Sequence, residues 1–406
     1  MKQLIRREHY LDRIRPFVNK DVIKVLTGMR RTGKSAMLEL IREDLIKQGV
    51  SAEQFISLNF ESFRTEKLRT ARALYDELAD KIEALGGRTA YVLLDEIQEV
   101  TEWEKCVNSL RVDYPCDIFI TGSNARLLSS ELATLLSGRY VTFEIFPFSF
   151  AEHLEGRSEK SPDVRAAFLE YVERGGMPFF AGNPCTHEDA VQYLSDIFQS
   201  VILKDIVKRH AIRDVDLLER IIKFVMSNVG RTFSARSVTN FLKSEKRSLS
   251  TDTVLNYLNA CLEAFLFERI RREDLSGKRI LTVNEKYFIV DHGIREAICG
   301  GNTQDMDQIL ENIICLELLR RGWAVTVGRL GDKKIDFIGS RNGKRIYIQV
   351  AYLLASAETV EREFGVLRCV RDNHPKFVVS LDEVDMSRDG IRHMNVGDFL
   401  LADDWV

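Results

Sequence analysis

The chain has 406 residues, which is too long for one ordinary hydrophobic core and predicts two or three domains. Hydrophobic residues make up 45% of the chain and charged residues 29%, as in globular proteins, and the formal net charge of −3 excludes a global basic field for nucleic acid or acidic membranes. The seven cysteines have no metal-ligand spacing, and no secretory signal or membrane-spanning run is found, so we expect a cytoplasmic protein.

The first motif is a complete phosphate-binding loop at residues 28–35, which read G-M-R-R-T-G-K-S. It follows an apolar run at 22–27 that predicts a strand and precedes a helical stretch at 36–46. This order directs backbone N–H groups at a phosphate and predicts ATP binding. Lys34 would contact the β- and γ-phosphates, and the Ser35 hydroxyl would bind Mg²⁺. A glycine turn that matches by chance is the alternative. The expected nucleotide-binding residues are Gly28, Arg30, Arg31, Thr32, Gly33, Lys34 and Ser35.

Short apolar runs continue to alternate with amphipathic stretches as far as residue 150. Further strands are predicted at 55–60, 91–94, 117–121 and 140–145. Strands separated by helices predict an α/β fold with a largely parallel sheet, which binds ligands at the carboxyl ends of its strands.

Two carboxylates follow the predicted strand at 91–94. Asp95 would hold Mg²⁺, which prefers oxygen ligands, and Glu96 would deprotonate the water that attacks the γ-phosphate. An exposed acidic turn is the alternative. The phosphate loop upstream favours the catalytic interpretation, because hydrolysis requires both parts.

Two other positions in this region could contact the γ-phosphate. The strand at 117–121 leads into Gly122-Ser123-Asn124, where Ser123 or Asn124 could detect the phosphate, although a plain turn fits almost as well. Arg139 precedes a strand and could reach the nucleotide of a neighbouring protomer in a homo-oligomer. A salt bridge or a contact inside the domain is equally compatible with Arg139.

After residue 150 the strand signal fades and helical periodicity takes over, at 164–173, 187–207 and 217–229. Residues 232–283 are compatible with a winged helix, and phosphate contacts to DNA would need cations there. A solvated polar turn is the alternative. The cations near its second helix are Arg236, Lys243, Lys246 and Arg247.

A glycine-rich boundary at 300–303 precedes a third pattern of elements. A helix is predicted at 306–321, strands at 324–329, 334–340 and 344–351, a helix at 357–370 and a strand at 376–380. The domain boundaries are therefore predicted as 1–150, 151–300 and 301–406.

The motifs G-M-R-R-T-G-K-S, L-L-D-E-I-Q-E-V-x-x-W-E, I-T-G-S-N-A, L-L-S-G-R-Y and F-P-F-S-F-x-E resemble a family of prokaryotic AAA-superfamily ATP-binding proteins. The resemblance covers nearly the whole chain. It implies ATP binding and hydrolysis by Lys34, Ser35, Asp95 and Glu96, a winged-helix middle region and a C-terminal domain of uncharacterised function. It implies no particular substrate, and DNA and protein both stay open as partners.

The C-terminal order of helix, three strands and helix resembles the restriction-endonuclease-like fold. Active members carry a Glu on the helix, an Asp on a strand and a Glu- or Gln-x-Lys on the next strand, which implies Glu311, Asp336 and Gln349 here. The lysine position is Ala351, followed by Tyr352, a poor base. The favoured interpretation is a degenerate nuclease that serves as a binding or docking module. Slow cleavage by metal-bound water and a structural role for Asp336 are the alternatives.

Overall fold

The computed structural model describes residues 4–123, 136, 138–157, 163–183, 185–244, 250–275, 277 and 279–405, and only the backbone of 244, 279 and 281–284. Asn124, Lys246 and Arg247 lie outside the described residues. The chain divides into two compact units, Met1–Phe146 with Glu263–Phe265 and Pro147–Leu262 with Leu266–Val406. Among the helices that can be described, none is long and apolar enough to cross a membrane.

The first unit is an α/β structure built on a parallel sheet, as predicted. Its strands follow the order β2-β3-β4-β1-β5, and every neighbouring pair is parallel. The elements are α1 (Glu8–Ile14), β1 (Ile23–Thr27), α2 (Lys34–Lys47), β2 (Phe55–Asn59), α3 (Ala71–Glu83), β3 (Ala90–Asp95), α4 (Trp103–Asp113), β4 (Cys116–Thr121) and β5 (Tyr140–Glu144).

Alternate residues of the central strands face opposite sides of this sheet. Val92 and Leu94 of β3 pack into one apolar cluster with residues of α3 and α4, while Tyr91 and Leu93 pack into another with residues of α1 and α2. Both faces are therefore covered, which is why the strands are almost continuously apolar in sequence.

The second unit begins with helices and ends with a mixed sheet. Its helices are α5 (Phe150–Glu155), α6 (Val164–Arg174), α7 (His187–Ser200), α8 (Val215–Ser227), α9 (Ala235–Ser244), α10 (Thr251–Glu263), α11 (His292–Cys299), α12 (Met306–Arg320), α13 (Ala357–Arg368) and α14 (Val396–Leu401). Its strands are β6 (Phe267–Asp274), β7 (Arg279–Ile289), β8 (Ala324–Leu330), β9 (Lys333–Arg341), β10 (Lys344–Val350), β11 (Lys376–Ser380) and β12 (Arg392–Asn395). A π-helical turn, Val201–Val207, continues α7.

The sheet of the second unit has seven strands in the order β12-β11-β10-β9-β8-β6-β7. The antiparallel hairpin of β6 and β7 joins the C-terminal strands through parallel pairing of β6 with β8. The sheet therefore combines strands from both sides of the boundary predicted at residue 300, because β6 pairs with β7 along one edge and with β8 along the other. The division into three domains stays a prediction.

A buried ion pair fixes two central strands of the first unit. Lys24 on β1 donates to the Asp117 carboxylate on β4, and both side chains are almost fully buried. Burial lowers the pKa of Lys24 and raises the pKa of Asp117, while the pairing opposes both shifts. The backbone N–H of Asn19 also donates to Asp117 Oδ2 at 2.8 Å. The pair is costly to break because either partner alone would be a charge without compensation.

We expect Lys24→Met to lower the free energy of unfolding by about 3–5 kcal/mol, because the Asp117 carboxylate loses its buried cation. Urea denaturation followed by circular dichroism measures this loss. Arg72→Met is the control, because Arg72 pairs with Asp76 at the surface with a side chain 83% exposed, and such pairs contribute little. Equal losses in the two variants would contradict the assignment.

Candidate active site

The phosphate loop, residues 28–35, connects β1 to α2 and requires glycine at two positions. Gly28 has a φ of 137°, and a Cβ placed there would lie 2.4 Å from the backbone oxygen of Ile145. Gly33 has a φ of 93° directly before α2. Only glycine adopts such backbone angles readily, so both glycines set the path of the loop.

A buried arginine connects this loop by hydrogen bonds to another part of the first unit. Arg7 Nη1 donates to the carbonyl of Thr32 at 3.2 Å, and Arg7 Nη2 donates to the carbonyl of Phe146 at 2.9 Å. The Thr32 hydroxyl donates to the carbonyl of Met29 at 3.0 Å. Arg7 is a residue that the sequence analysis missed, because its partners lie 25 and 139 residues away.

The other predicted loop residues differ in exposure. Lys34 is buried, and its Nζ donates to the carbonyls of Gly28 at 3.1 Å and Met29 at 2.9 Å. Arg30 Nη1 lies 3.6 Å from Glu61 Oε1. Arg31 and Ser35 are exposed. The lysine ammonium therefore lies inside the loop, where a phosphate would compete with the two carbonyls for it.

One hydroxyl contacts both of the predicted acidic residues, the carboxylate of the first and the backbone of the second. Thr121 Oγ1 donates to Asp95 Oδ1 at 2.5 Å and accepts the backbone N–H of Glu96 at 2.9 Å. Asp95 Oδ2 accepts from the amide of Asn59 at 2.8 Å. Glu96 has a left-handed backbone, φ 55° and ψ 50°, and its Oε1 lies 4.0 Å from Lys34 Nζ. The structure thus brings Lys34, Asp95 and Glu96 together.

Thr121 and Asn59 were not among the predicted site residues, although a signal for them exists. Asn59 ends β2, Asp95 ends β3 and Thr121 ends β4. The carboxyl ends of neighbouring parallel strands meet at one edge of a sheet, so the last polar residue of each strand is a candidate. Ser123, one of the predicted phosphate detectors, is buried, and Asn124 falls outside the described residues.

Arg139 lies just before β5 with an exposed side chain. Its carbonyl accepts the N–H of Ile23 at 3.0 Å, and its own N–H donates to the carbonyl of Leu136 at 3.0 Å. These backbone bonds fix the position of the residue. Within the part of the chain that the structure describes, no salt bridge or hydrogen bond of its side chain is found, and its role stays a prediction.

The donor set around the phosphate loop suits Mg²⁺ bound together with a nucleotide. In the described ranges, no three Asp, Glu, His or Cys side chains are grouped so that they could hold a metal ion by themselves. Ser35 and Asp95 offer a hydroxyl and a carboxylate, and Mg²⁺ commonly takes its remaining ligands from phosphate and water. The Thr27 hydroxyl, next to Gly28, is buried without a hydrogen-bond partner among the described residues. A buried hydroxyl next to the phosphate loop could therefore still form a hydrogen bond with a bound ligand or water.

The three residues at the nuclease-like positions form one cluster in the second unit. Gln349 Oε1 on β10 accepts the N–H of Asp336 at 3.2 Å, and Asp336 Oδ2 on β9 accepts the N–H of Val350 at 3.0 Å. Glu311 lies on α12. Ala351, at the position expected for a lysine, is buried. Asp336 and Gln349 are hydrogen-bonded between neighbouring strands, and the alanine at 351 cannot serve as a base. The nuclease-like assignment stays a prediction.

A lysine that the sequence analysis did not identify completes this cluster. Lys286 Nζ on β7 lies 2.6 Å from Glu311 Oε2 and 3.8 Å from Asp336 Oδ1. Burial disfavours the ammonium, but the Glu311 and Asp336 carboxylates raise the pKa of Lys286. Burial and the charge of Asp336 raise the pKa of Glu311 to about 7. No local pattern marks Lys286, because its partners come from other strands and helices.

A second polar cluster in this unit contains a serine, a histidine and an aspartate, as a catalytic triad does, but its hydrogen bonds run in the wrong direction for catalysis. The N–H of Met386 donates to His393 Nδ1 at 3.2 Å, so His393 carries its proton on Nε2 and donates it to Ser380 Oγ at 2.9 Å. Ser380 in turn donates to Asp382 Oδ2 at 2.7 Å. A nucleophilic serine must instead donate to the histidine. We therefore assign these residues a structural role in the turn after β11.

Comparison with known proteins gives two family matches and two relatives that align with most of the chain. A model of the AAA domain matches residues 20–154, and a domain of unknown function (DUF8612) matches residues 165–305. An uncharacterized protein of Haemophilus influenzae is 39% identical over 405 residues, covering 98% of this chain and 99% of that protein. The uncharacterized protein MJ1544 of Methanocaldococcus jannaschii is 29% identical over 363 residues, covering 83% and 78%.

Solved structures resemble the chain only distantly. Cdc6p from Pyrobaculum aerophilum is 13% identical with a TM-score of 0.32, over 75% of this chain and 96% of that chain. Orc1 from Aeropyrum pernix, solved with DNA, is 14% identical with a TM-score of 0.33, over 75% and 94%. DnaA from Aquifex aeolicus, solved with AMPPCP, is 13% identical with a TM-score of 0.31, over 63% and 86%. Similarity this low carries no argument about function.

We expect Gly28→Ala to abolish binding of a fluorescent ATP analogue and to lower the melting temperature, because the new Cβ would collide with the Ile145 carbonyl. Gly49→Ala is the matched control. Gly49 also has a positive φ, 98°, but a Cβ there would meet nothing within 4 Å. Equal effects in both variants would show that backbone strain alone, and not the close approach, limits residue 28.

Proposed function

The chain belongs to the same family as the uncharacterized Haemophilus influenzae protein and contains an AAA domain, and we propose that it is a Mg²⁺-dependent ATPase. Hydrolysis of ATP to ADP and phosphate would drive a conformational switch that acts on a DNA or protein partner. One observation carries the proposal: the Thr121 hydroxyl joins Asp95 to Glu96, while Lys34 lies 4.0 Å from the Glu96 carboxylate.

In this proposal Glu96 is the general base. It takes a proton from water as the water oxygen bonds to the γ-phosphorus and the bond to the oxygen of ADP breaks. Lys34 leaves the carbonyls of Gly28 and Met29 and donates to phosphate oxygens instead. Backbone N–H groups at the start of α2 bind the same phosphates.

Ser35 and Asp95 would hold the Mg²⁺ ion, which supplies positive charge to the transferred phosphate. Asp95 is already oriented by two neutral donors, Asn59 and Thr121. Neutral donors leave the negative charge of this carboxylate uncompensated, as a cation ligand requires. The geometry thus supports the metal role predicted for Asp95.

Arg139 would stabilise the charge of the transition state in a neighbouring protomer. Its exposed side chain just before β5 supports a role outside its own chain. An arginine in this role neutralises charge on the transferred phosphate. The proposal therefore includes a homo-oligomer.

The second unit would carry the partner-binding surface. Helices α9 and α10 followed by the β6–β7 hairpin are compatible with a winged helix, and Arg236 and Lys243 are exposed there. Exposed cations beside a helix pair suit phosphate contacts with DNA. A protein partner stays the alternative, because the chain as a whole is acidic.

A second candidate function is a regulatory ATP binder with little turnover. One contact favours it: the Gln98 amide donates to Glu96 Oε2 and engages the carboxylate that must accept a proton. Retention of ADP by the protein after one turnover would favour this candidate. Continuous release of phosphate would favour the ATPase.

We expect Glu96→Gln to reduce ATP hydrolysis about 10²–10⁴-fold without preventing ATP binding, because the base is lost while the phosphate loop is intact. Phosphate release and isothermal titration calorimetry with ATP measure the two effects. Glu99→Gln, three residues away at an exposed position, should hydrolyse ATP like the native chain. An ATPase rate in Glu96→Gln equal to that of the native chain would refute the proposal.

A mixing experiment tests whether Arg139 acts on a neighbour. Arg139→Ala retains Glu96, and Glu96→Gln retains Arg139, so a mixed oligomer contains complete sites although each variant alone does not. We expect the mixture to hydrolyse ATP faster than the mean of the two separate variants, with a maximum near equal proportions. A rate equal to that mean would place Arg139 in its own site or outside catalysis.

A further inference from the structure

The nuclease-like cluster of the second unit is defined by Glu311, Asp336, Gln349 and Lys286, and its side chains are hydrogen-bonded within the protein. Glu311 Oε2 pairs with Lys286, and Asp336 Oδ2 accepts the N–H of Val350. Gln349 Oε1 accepts the N–H of Asp336. One oxygen of each of these three side chains therefore has a hydrogen-bond partner within the protein.

The position between the two carboxylates is occupied by an ammonium group. Lys286 Nζ lies 2.6 Å from Glu311 and 3.8 Å from Asp336, and the residue is 7% exposed. A divalent ion bound to the same carboxylates would lie next to this ammonium, where like charges repel. Within the described residues, no set of three metal-ligating side chains surrounds the cluster. The residues present do not fit a catalytic metal ion.

A neighbouring carboxylate also has partners within the protein. Glu363 on α13 accepts a hydrogen bond from Gln349 and pairs with Arg362 at 2.7 Å. The Gln349 amide therefore accepts from Asp336 and donates to Glu363, which a glutamate at this position could not do. Gln349 thus fits a network held together by protein groups alone.

We infer that the Lys286 ammonium takes the place of a divalent ion in this cluster, so that the second unit carries a permanent internal cation and no metal-dependent nuclease site. The cation joins three separate elements, β7, α12 and β9. The lysine that is missing at residue 351 is thus replaced in charge, although not in position, by a lysine from the β6–β7 hairpin. This inference does not depend on ATP hydrolysis in the first unit.

Manganese binding to the full-length, nucleotide-free chain tests the inference, with free Mn²⁺ measured by electron paramagnetic resonance. We expect the native chain and Asp336→Asn to bind equal amounts of Mn²⁺. Lys286→Met should bind about one additional Mn²⁺ per chain, and Lys286→Met combined with Asp336→Asn should lose it again. Lys334→Met is the matched control, because Lys334 is exposed on the same strand as Asp336, and it should bind like the native chain.

Two results would overturn the inference. One is Mn²⁺ that the native chain binds and that both Glu311→Gln and Asp336→Asn remove. The other is a folded Lys286→Met variant without additional Mn²⁺. If Lys286→Met does not fold, Lys286→Arg keeps the charge and should bind Mn²⁺ like the native chain, and additional Mn²⁺ in that variant would equally contradict the inference. The comparison of the native chain with Asp336→Asn needs no lysine variant.

Discussion

The hydroxyl of Thr121 fixes the edge of the sheet at which we propose the ATP site, because it binds the Asp95 carboxylate and the Glu96 N–H at once. This contact requires β3 and β4 to be parallel neighbours with Leu94 opposite Ile120. Because β1 pairs with the other side of β4, the phosphate loop reaches the same edge. A slip of β4 by one residue would turn the hydroxyl to the opposite face of the sheet, away from the Asp95 carboxylate and the Glu96 N–H. The buried pair of Lys24 on β1 and Asp117 on β4 opposes such a slip near the amino ends of β1 and β4.

Features that depend on neighbours in sequence can be predicted, and the structure confirms the parallel α/β core around the phosphate loop. Strand β11 has the predicted bounds, and α12 ends one residue earlier than predicted, because hydrophobic periodicity reports local structure directly.

Contacts between residues that are distant in sequence could not be predicted in this way. Asn59 meets Asp95 across 36 residues, and Lys286 meets Glu311 across 25. Nothing in a single sequence states that β6 pairs with β8, so a lysine on the adjoining hairpin cannot be connected with the C-terminal carboxylates. The sequence pattern predicts the lysine at residue 351, two positions after Gln349. In the structure the positive charge comes instead from Lys286 on β7, which is distant in sequence.

The Asp95 site and the nuclease-like cluster differ in how the charge of their carboxylates is balanced. The first unit has Asp95 held by neutral donors, so that its negative charge is available to a ligand. In the second unit the charges of Glu311 and Asp336 are balanced by Lys286, and Glu363 is balanced by Arg362. A carboxylate that awaits a ligand and a carboxylate that is already satisfied look alike in sequence. Their hydrogen-bond partners distinguish them, and this distinction separates the proposed ATP site from the nuclease-like cluster.

The left-handed backbone of Glu96 limits how this family can diverge. A residue other than glycine pays about 1–2 kcal/mol for that conformation, and asparagine and aspartate adopt it more readily than β-branched residues do. A lineage that gives up hydrolysis but keeps the loop would therefore be expected to drift at this position towards asparagine, aspartate or glycine. Valine, isoleucine or threonine would disturb the backbone as well as remove the carboxylate. Under the proposed mechanism, the residue at this position would distinguish family members that keep a general base from those that keep only the shape of the site.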